Sequence, residues 1–490
     1  MTRPLQSNCR WTTLCVVVFV LCCSTVRAQT EASDFARIGF AAFLTPVVSD
    51  YQCVGINPAN LGFIPRRDVF VLASPLGGGV ERVRRAFSFT VAEGGATAHS
   101  DALTRSGLMN ALFNNSSIQF TLADKRRAAA DFAGKGIRFS ADFFSIGAAF
   151  QTDQFGGIAL TARERAMGTF KFNESAAALA FEGRHYAYFD SLAVNFKGDT
   201  VGFARNPQPF SELFKGTRLA LSWFREFGIS YGIGIYKTDE LDVFVGAGVK
   251  YLQGYAYLDA VVADNQLKAY TALSPFFGIS YGKATTPSFI PGNKLEPIGD
   301  GWGLDLGLTV RVDKVTFAAS VVDLGALRYD GNVFVAKDTI LNGMSSTGFN
   351  SYNIFKEAPK ITGEGNYFSW DGLATATSEL PSRVRMGISY AHTYRWRFGV
   401  DAIAPLNQAA GSLGDPLVSL GADWRPYTWL RVGAGIGGGG NMGFFMPVSV
   451  FFSVFGGFWE FGISSRDIVT LITVDRPIVS VTIGLARIRF

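Results

Sequence analysis

Histidine is scarce in this 490-residue chain, and four of its five cysteines lie at or before position 23. The three histidines, His99, His185 and His392, form no HExxH pattern and no paired-His metal spacing. A hydrolase needs a histidine beside a nucleophile and an orienting acid or amide, and the spacing nominates none. The expectation is therefore a chain that is not an enzyme, with no catalytic residue, no metal and no cofactor.

Residues 1–28 read as a secretory signal: Arg3 and Arg10 are basic, 14–23 is apolar, and Val26-Arg27-Ala28 is a small-residue cleavage pattern. Cys9, Cys15, Cys22 and Cys23 leave with it. Cys53 remains alone, which excludes an intramolecular disulfide and a Cys-based metal site. Three of the 45 Lys+Arg also leave, so 42 basic residues face 40 acidic ones, and no nucleic-acid partner is implied.

Charge is low at 17 %, mean hydropathy is positive, and Gly (55) and Phe (44) are abundant. After the signal no long apolar run has helical character. The stretch 442–465 comes nearest, but Pro447, Gly456-Gly457 and its β-branched and aromatic content favour a hairpin. An exported, apolar, Gly- and aromatic-rich chain without membrane helices points to a closed β-barrel, which satisfies every backbone group within lipid.

Period-two alternation supports this. In 303–313, Leu304, Leu306, Leu308, Val310 and Val312 share one face, opposite Asp305, Gly307, Thr309, Arg311 and Asp313. Val384, Met386 and Ile388 oppose Arg383 and Arg385; Trp396, Phe398 and Val400 oppose Arg395, Arg397 and Asp401. Asp423, Arg431 and Glu460 fall on the same small-residue parity. All these charges are expected to face the lumen, because charge toward lipid is costly. Arg383, Arg385, Arg395 and Arg397 form a candidate basic patch for a carboxylate or for the plug, weighed against Arg–Asp pairs that brace the lumen.

From residue 303 onward, tight turns alternate with longer connections at 323–381, 405–416, 437–445 and 466–477. Further strands are expected at 218–224 and 227–235, split by a turn at Arg225-Glu226, and at 242–251. Weaker ones lie at 118–122, 137–143, 146–150 and 158–162, and 100–113 reads as a short helix. The bare count is roughly sixteen to eighteen strands. The loop 323–381 carries Phe349, Tyr352, Phe355, Tyr367, Phe368 and Trp370, which could collect a hydrophobic ligand or dock a partner, or form a packed lid.

The chain ends in "ARIRF", and terminal Phe490 is similar to the assembly signal that the barrel-assembly machinery reads; a bulge near Ala486 is needed to bring it into parity. Near the expected mature start lies "INPANLGF", with Asn57, Pro58, Ala59 and Asn60. In that position, before a long Gly- and aromatic-rich barrel, the motif resembles the FadL-like (OMPP1/FadL) superfamily. The stretches "VGAGVKYLQGYAYL", "PSRVRMGISY" and "VSLGADWRP" look closest to the uncharacterised DUF5723-like, Bacteroidetes-type branch.

The resemblance implies an all-β, transmembrane antiparallel barrel of about 14 strands (range 14–18) in the Gram-negative cell outer membrane. It implies a signal peptide at 1–28, an N-terminal hatch at 29–65 inside the lumen, and a barrel at 66–490. The implied function is passage of hydrophobic or amphipathic small molecules through a barrel set in outer-membrane lipid. The alternatives are a barrel that anchors or shuttles exported proteins with a secretion machinery, and a general porin.

Overall fold

The computed structural model describes residues 40–63, 69–72, 81–84, 86–104, 106–108, 119–196, 198–263, 265–353, 357, 368–440, 442–469, 472 and 478–490. The expected signal peptide lies outside these residues.

A single antiparallel sheet closes on itself as a barrel of 14 strands. Strand β1 comprises Phe87–Thr90 and Glu93–Ser100. It is followed by β2 (Gly136–Thr152), β3 (Gly156–Lys171), β4 (Arg218–Lys237), β5 (Leu241–Ala263), β6 (Gly299–Val312) and β7 (Val315–Tyr329). Then come β8 (Arg383–Tyr390), β9 (Trp396–Pro405), β10 (Leu417–Tyr427), β11 (Leu430–Gly439), β12 (Val448–Val454), β13 (Trp459–Ser465) and β14 (Ile478–Arg489). Each pairs with its sequence neighbour, and β14 pairs with β1.

The bare sequence count is too high because bulged strands read as two. Segments 137–143 and 146–150 are one strand, β2, with a register shift between Phe144 and Ile146. Segments 218–224 and 227–235 are one twenty-residue strand, β4; Arg225 and Glu226 are not a turn but pair in register with β3 and β5. Segment 118–122 is not a strand: its described residues lead into helix α1 (Leu122–Phe132), started by a capping box between Thr121 and Asp124. Of the expected helix at 100–113, residues 106–108 are helical and 109–113 lie outside the described residues.

Connections of two to five residues join β2–β3, β4–β5, β6–β7, β8–β9, β10–β11 and β12–β13, all at one end; the longer ones gather at the other. The loop expected at 323–381 starts later, because β7 runs to Tyr329.

The alternation sorts side chains as lipid demands. Leu306 is 44 % exposed and Asp305 is fully buried. At the short-turn end the outward aromatics form a ladder across β9–β13: Trp396 stacks on Trp424, Tyr427 on Trp429, Trp429 on Phe452, and Phe452 on Phe461. Toward the long-loop end Tyr251 meets Trp302, and Trp223 meets Tyr255. An apolar band between two aromatic girdles is the outer surface of a membrane-spanning barrel.

The long connections fold into a cap. Helix α1 and helix α2 (Glu174–Glu182), the latter capped by Asn173, bury Phe132 and Phe181 at 5.2 Å. Phe349, Phe210, Phe214, Phe368 and Trp370 join the same apolar cluster.

Candidate functional site: the occupied lumen

Residues 40–63 are buried throughout and run against the inner faces of β1 through β11 and β14. The Asn57 side chain caps the short 3-10 turn Pro58–Gly62 by accepting from the Ala59 N–H. Its amide donates to Thr309 Oγ1 of β6 at 2.9 Å, and Thr309 donates to Asn60 Oδ1 at 2.7 Å. The Asn60 amide folds back to the carbonyls of Val48 and Thr45. Three buried polar side chains and the backbone groups around them thus satisfy one another.

Three inward glycines cradle this turn. A Cβ on Gly246 (β5) would stand 2.4 Å from Ala59 N, one on Gly232 (β4) 2.4 Å from Pro58 O, and one on Gly307 (β6) 2.1 Å from Asn57 Oδ1. Any side chain there would overlap the turn. At these three positions the requirement for glycine is the approach of a second backbone.

Wall carboxylates hold the rest of the segment. Asp401 accepts from the Leu44 and Thr45 N–H groups at 3.1 and 3.2 Å, and Asp305 from the Gly55 N–H at 3.1 Å. Glu93 takes the Tyr51 hydroxyl at 2.6 Å and the Gln52 amide, while Arg487 pairs with Asp50. Arg431 lies over Phe40 at 4.5 Å.

Toward the cap lies a layer of buried charge. Arg163 meets Glu226 at 2.9 Å and Asp142 at 3.3 Å. Asp323 receives Arg165 at 2.9 Å, Lys250 at 2.6 Å and Arg383 at 3.2 Å. Lys250 also meets Asp305 at 2.8 Å, and Arg385 meets Asp401 at 3.7 Å. Five cations face five carboxylates, so the layer is internally neutral. Asp323 sits in strand β7 with φ +58°, a left-handed kink that turns its carboxylate inward.

The expected basic patch divides. Arg383 and Arg385 belong to this layer, whereas Arg397 pairs with Asp423 at 2.9 Å nearer the short turns. Arg395 does not face the lumen: it is exposed in the β8–β9 turn, against Tyr394, because the chain has already left the sheet. Arg311 pairs with Asp242, and Glu460 with Arg487. Asp142, Arg163, Arg165, Glu226, Lys250 and Asp323 were not anticipated. The alternation Arg163-Glu164-Arg165 was the available signal, but its strand was read as ending before it.

Of the loop aromatics, Phe349 and Trp370 are buried in the cap and Tyr352 and Phe368 are half-buried against it, so these four form a packed lid rather than an open collector. Phe355 and Tyr367 lie outside the described residues. Phe490 pairs with Phe87 through both backbone groups, 2.9 and 3.0 Å, closing the barrel seam.

That seam is incomplete. Between the pairs Gly484–Glu93 and Arg487–Thr90, Leu485 and Ala486 face Val91 and Ala92 without register partners. On its other side, Val91 and Ala92 skip Ser145 and Ile146 of β2. Glu93, which holds Tyr51 and Gln52, borders the gap inside. Outside, a groove of about 420 Å³ runs along Gly94, Ala96, Ala141, Phe143, Ile483 and Leu485.

The spacing Gly-x-Ser-x-Gly occurs twice, at 228–232 and 278–282. Neither copy is the strand-to-helix elbow of a hydrolase. Ser230 lies mid-strand in β4, and Ser280 lies in the loop after β5 with no histidine lining its cleft. His99 stands at the long-loop end of β1, His185 in the cap, and His392 in a short turn.

The profile of a family described as being of unknown function, DUF5723, matches residues 90–458, three quarters of the chain and most of the barrel. The chain belongs to the DUF5723 family. No curated protein matches its sequence. Among solved structures, this DUF5723 chain is similar to the Pseudomonas putida toluene transporter TodX, at 10 % identity and a TM-score of 0.42, over 94 % of this chain and 98 % of that one. It is also similar to a Pseudomonas aeruginosa FadL homologue (11 %, TM-score 0.38, 95 % and 97 %) and to the Ralstonia pickettii toluene transporter TbuX (10 %, TM-score 0.37, 91 % and 98 %).

Proposed function

We propose that this DUF5723 protein is a plugged outer-membrane channel for hydrophobic or amphipathic small molecules, with residues 40–63 as its hatch. The observation that carries the reading is the docking of the Asp50–Cys53 turn, through Tyr51 and Gln52, onto Glu93 beside the interrupted seam. A plug anchored where the wall has lost ladder pairing is placed to open a path between lumen and lipid without dismantling the barrel. A general porin is disfavoured, because residues 40–63 occupy the lumen. The test is uptake of a lipophilic dye by proteoliposomes. Wild-type protein is expected to accelerate uptake, and Glu93→Ala, which removes the anchor of Tyr51 and Gln52, to raise the rate further. Uptake unchanged by Glu93→Ala would overturn the reading.

A second reading, docking of an exported protein, draws on one observation. The hairpin Ser191–Val194/Thr200–Phe203 projects from the cap with Leu192, Val194 and Phe196 exposed and with Ser191–Val194 as the outer strand of its small sheet. Co-purification of an exported protein that depends on Phe196, with dye uptake unchanged, would favour it.

A further inference from the structure

The connection between β5 and β6 borders a cleft of about 620 Å³ at the long-loop end. Its size suits a small organic ligand. Tyr281, Phe289, Phe334 and Ile290 supply an apolar wall, and Ser280 and Thr285 supply hydroxyls. Among the described residues no charged side chain lines it. Lys283 and Lys294 belong to the same connection but do not line the cleft.

The cleft is braced from behind. Tyr281 stacks on Phe334 at 3.9 Å and meets Trp370 edge-on at 5.2 Å, and its hydroxyl bonds to Thr271. Burial pushes the Tyr281 phenol up from its ordinary range, so it stays uncharged at any working pH. The deeper polar groups are committed to the backbone: Thr286 donates to the Val333 or Leu373 carbonyls, and Asn332 binds the Leu273 carbonyl and the Ile290 N–H. A ligand would therefore meet aromatic faces and a hydroxylated rim, with no cation to compensate a carboxylate. Desolvating an anion there without a partner is costly. In the charge layer of the lumen, five carboxylates already face the five cations.

We propose that this cleft binds an uncharged, ring-sized amphipathic compound, a narrower ligand class within the channel reading above, on which it rests. The geometry favours a flat ring against Tyr281 or Phe289, with a hydroxyl or carbonyl turned to Ser280 and Thr285.

The test uses the full-length protein in lipid nanodiscs and two probes built on one ring system, neutral 2-naphthalenemethanol and anionic 2-naphthoate, titrated calorimetrically against empty discs. The alcohol is expected to bind saturably and at least tenfold more tightly than the carboxylate. Ser280→Trp, which fills the rim, and Tyr281→Leu, which removes the ring, should each weaken it at least tenfold, with the folded electrophoretic form intact. Equal or tighter naphthoate binding overturns the proposal, and so does alcohol binding indifferent to both variants. Because binding is read without flux, bound alcohol with no dye uptake would sink the channel reading alone, and uptake without cleft binding would sink this proposal alone.

Discussion

Asn57 and Thr309, 252 residues apart in sequence, share a hydrogen bond of 2.9 Å in the middle of a closed wall. The same Thr309 hydroxyl donates to Asn60, so one wall side chain reads both asparagines of the motif. Replacing Asn57 by Ala removes the cap of the Pro58 turn, about 1 kcal/mol, and leaves buried partners unsatisfied, about 1–3 kcal/mol more. Asn57→Ala is expected to keep the barrel folded but loosen the segment, seen as ion leakage across a planar bilayer. An unchanged baseline current would show that the contact does not hold the plug.

Gly246→Val should displace the same turn from the wall side, since its Cβ begins 2.4 Å from the Ala59 nitrogen. Gly438→Ala is the control, for its Cβ would meet only the Gly443 carbonyl at 3.8 Å. The expected outcome is leakage of a small dye from proteoliposomes carrying the first variant and none with the second.

Cys53 reports on both variants. It is the only cysteine among the described residues and is fully buried in the segment. In wild-type protein a maleimide should label it at least about a hundredfold more slowly than after denaturation, as for a site that opens only by local unfolding. Gly246→Val should bring the rate up by an order of magnitude or more. Fast labelling of the wild type would mean the segment leaves the lumen readily.

Asp323 collects three cations, so its removal strands charge where water is absent. Asp323→Ala is expected to cost about 3–5 kcal/mol, read as a lower temperature of conversion from the folded to the unfolded electrophoretic form. Arg165→Met added to Asp323→Ala should recover part of that loss, because one of the stranded charges goes with it. A double variant that loses stability additively would argue against a shared network.

The strand faces of β6, β8 and β9 were legible in the sequence, because lipid outside and contact inside impose opposite chemistry on alternate residues. The alternation of short and long connections was legible for the same local reason. The strand count from residues alone was not, since a bulge at Phe144–Ile146 looks like an end when only period-two parity is followed. The kink at Asp323 misplaced a loop boundary, and Arg225-Glu226, read as a turn, proved to be mid-strand because Glu226 is paired with Arg163 and Arg165 inside the wall.

What the sequence determined by itself was an apolar, closed, outward-facing surface, for that follows from the order of side chains along each strand. What only the tertiary structure decided was the use of the interior. Which glycines admit the Pro58 turn, which carboxylates hold residues 40–63, and which arginines neutralise Asp323 all depend on strands far apart in the chain meeting across a lumen. No periodicity records those distances. The meaning of "NPANLG" therefore lay in Gly232, Gly246, Gly307 and Thr309, at least 172 residues further along the chain than Asn60.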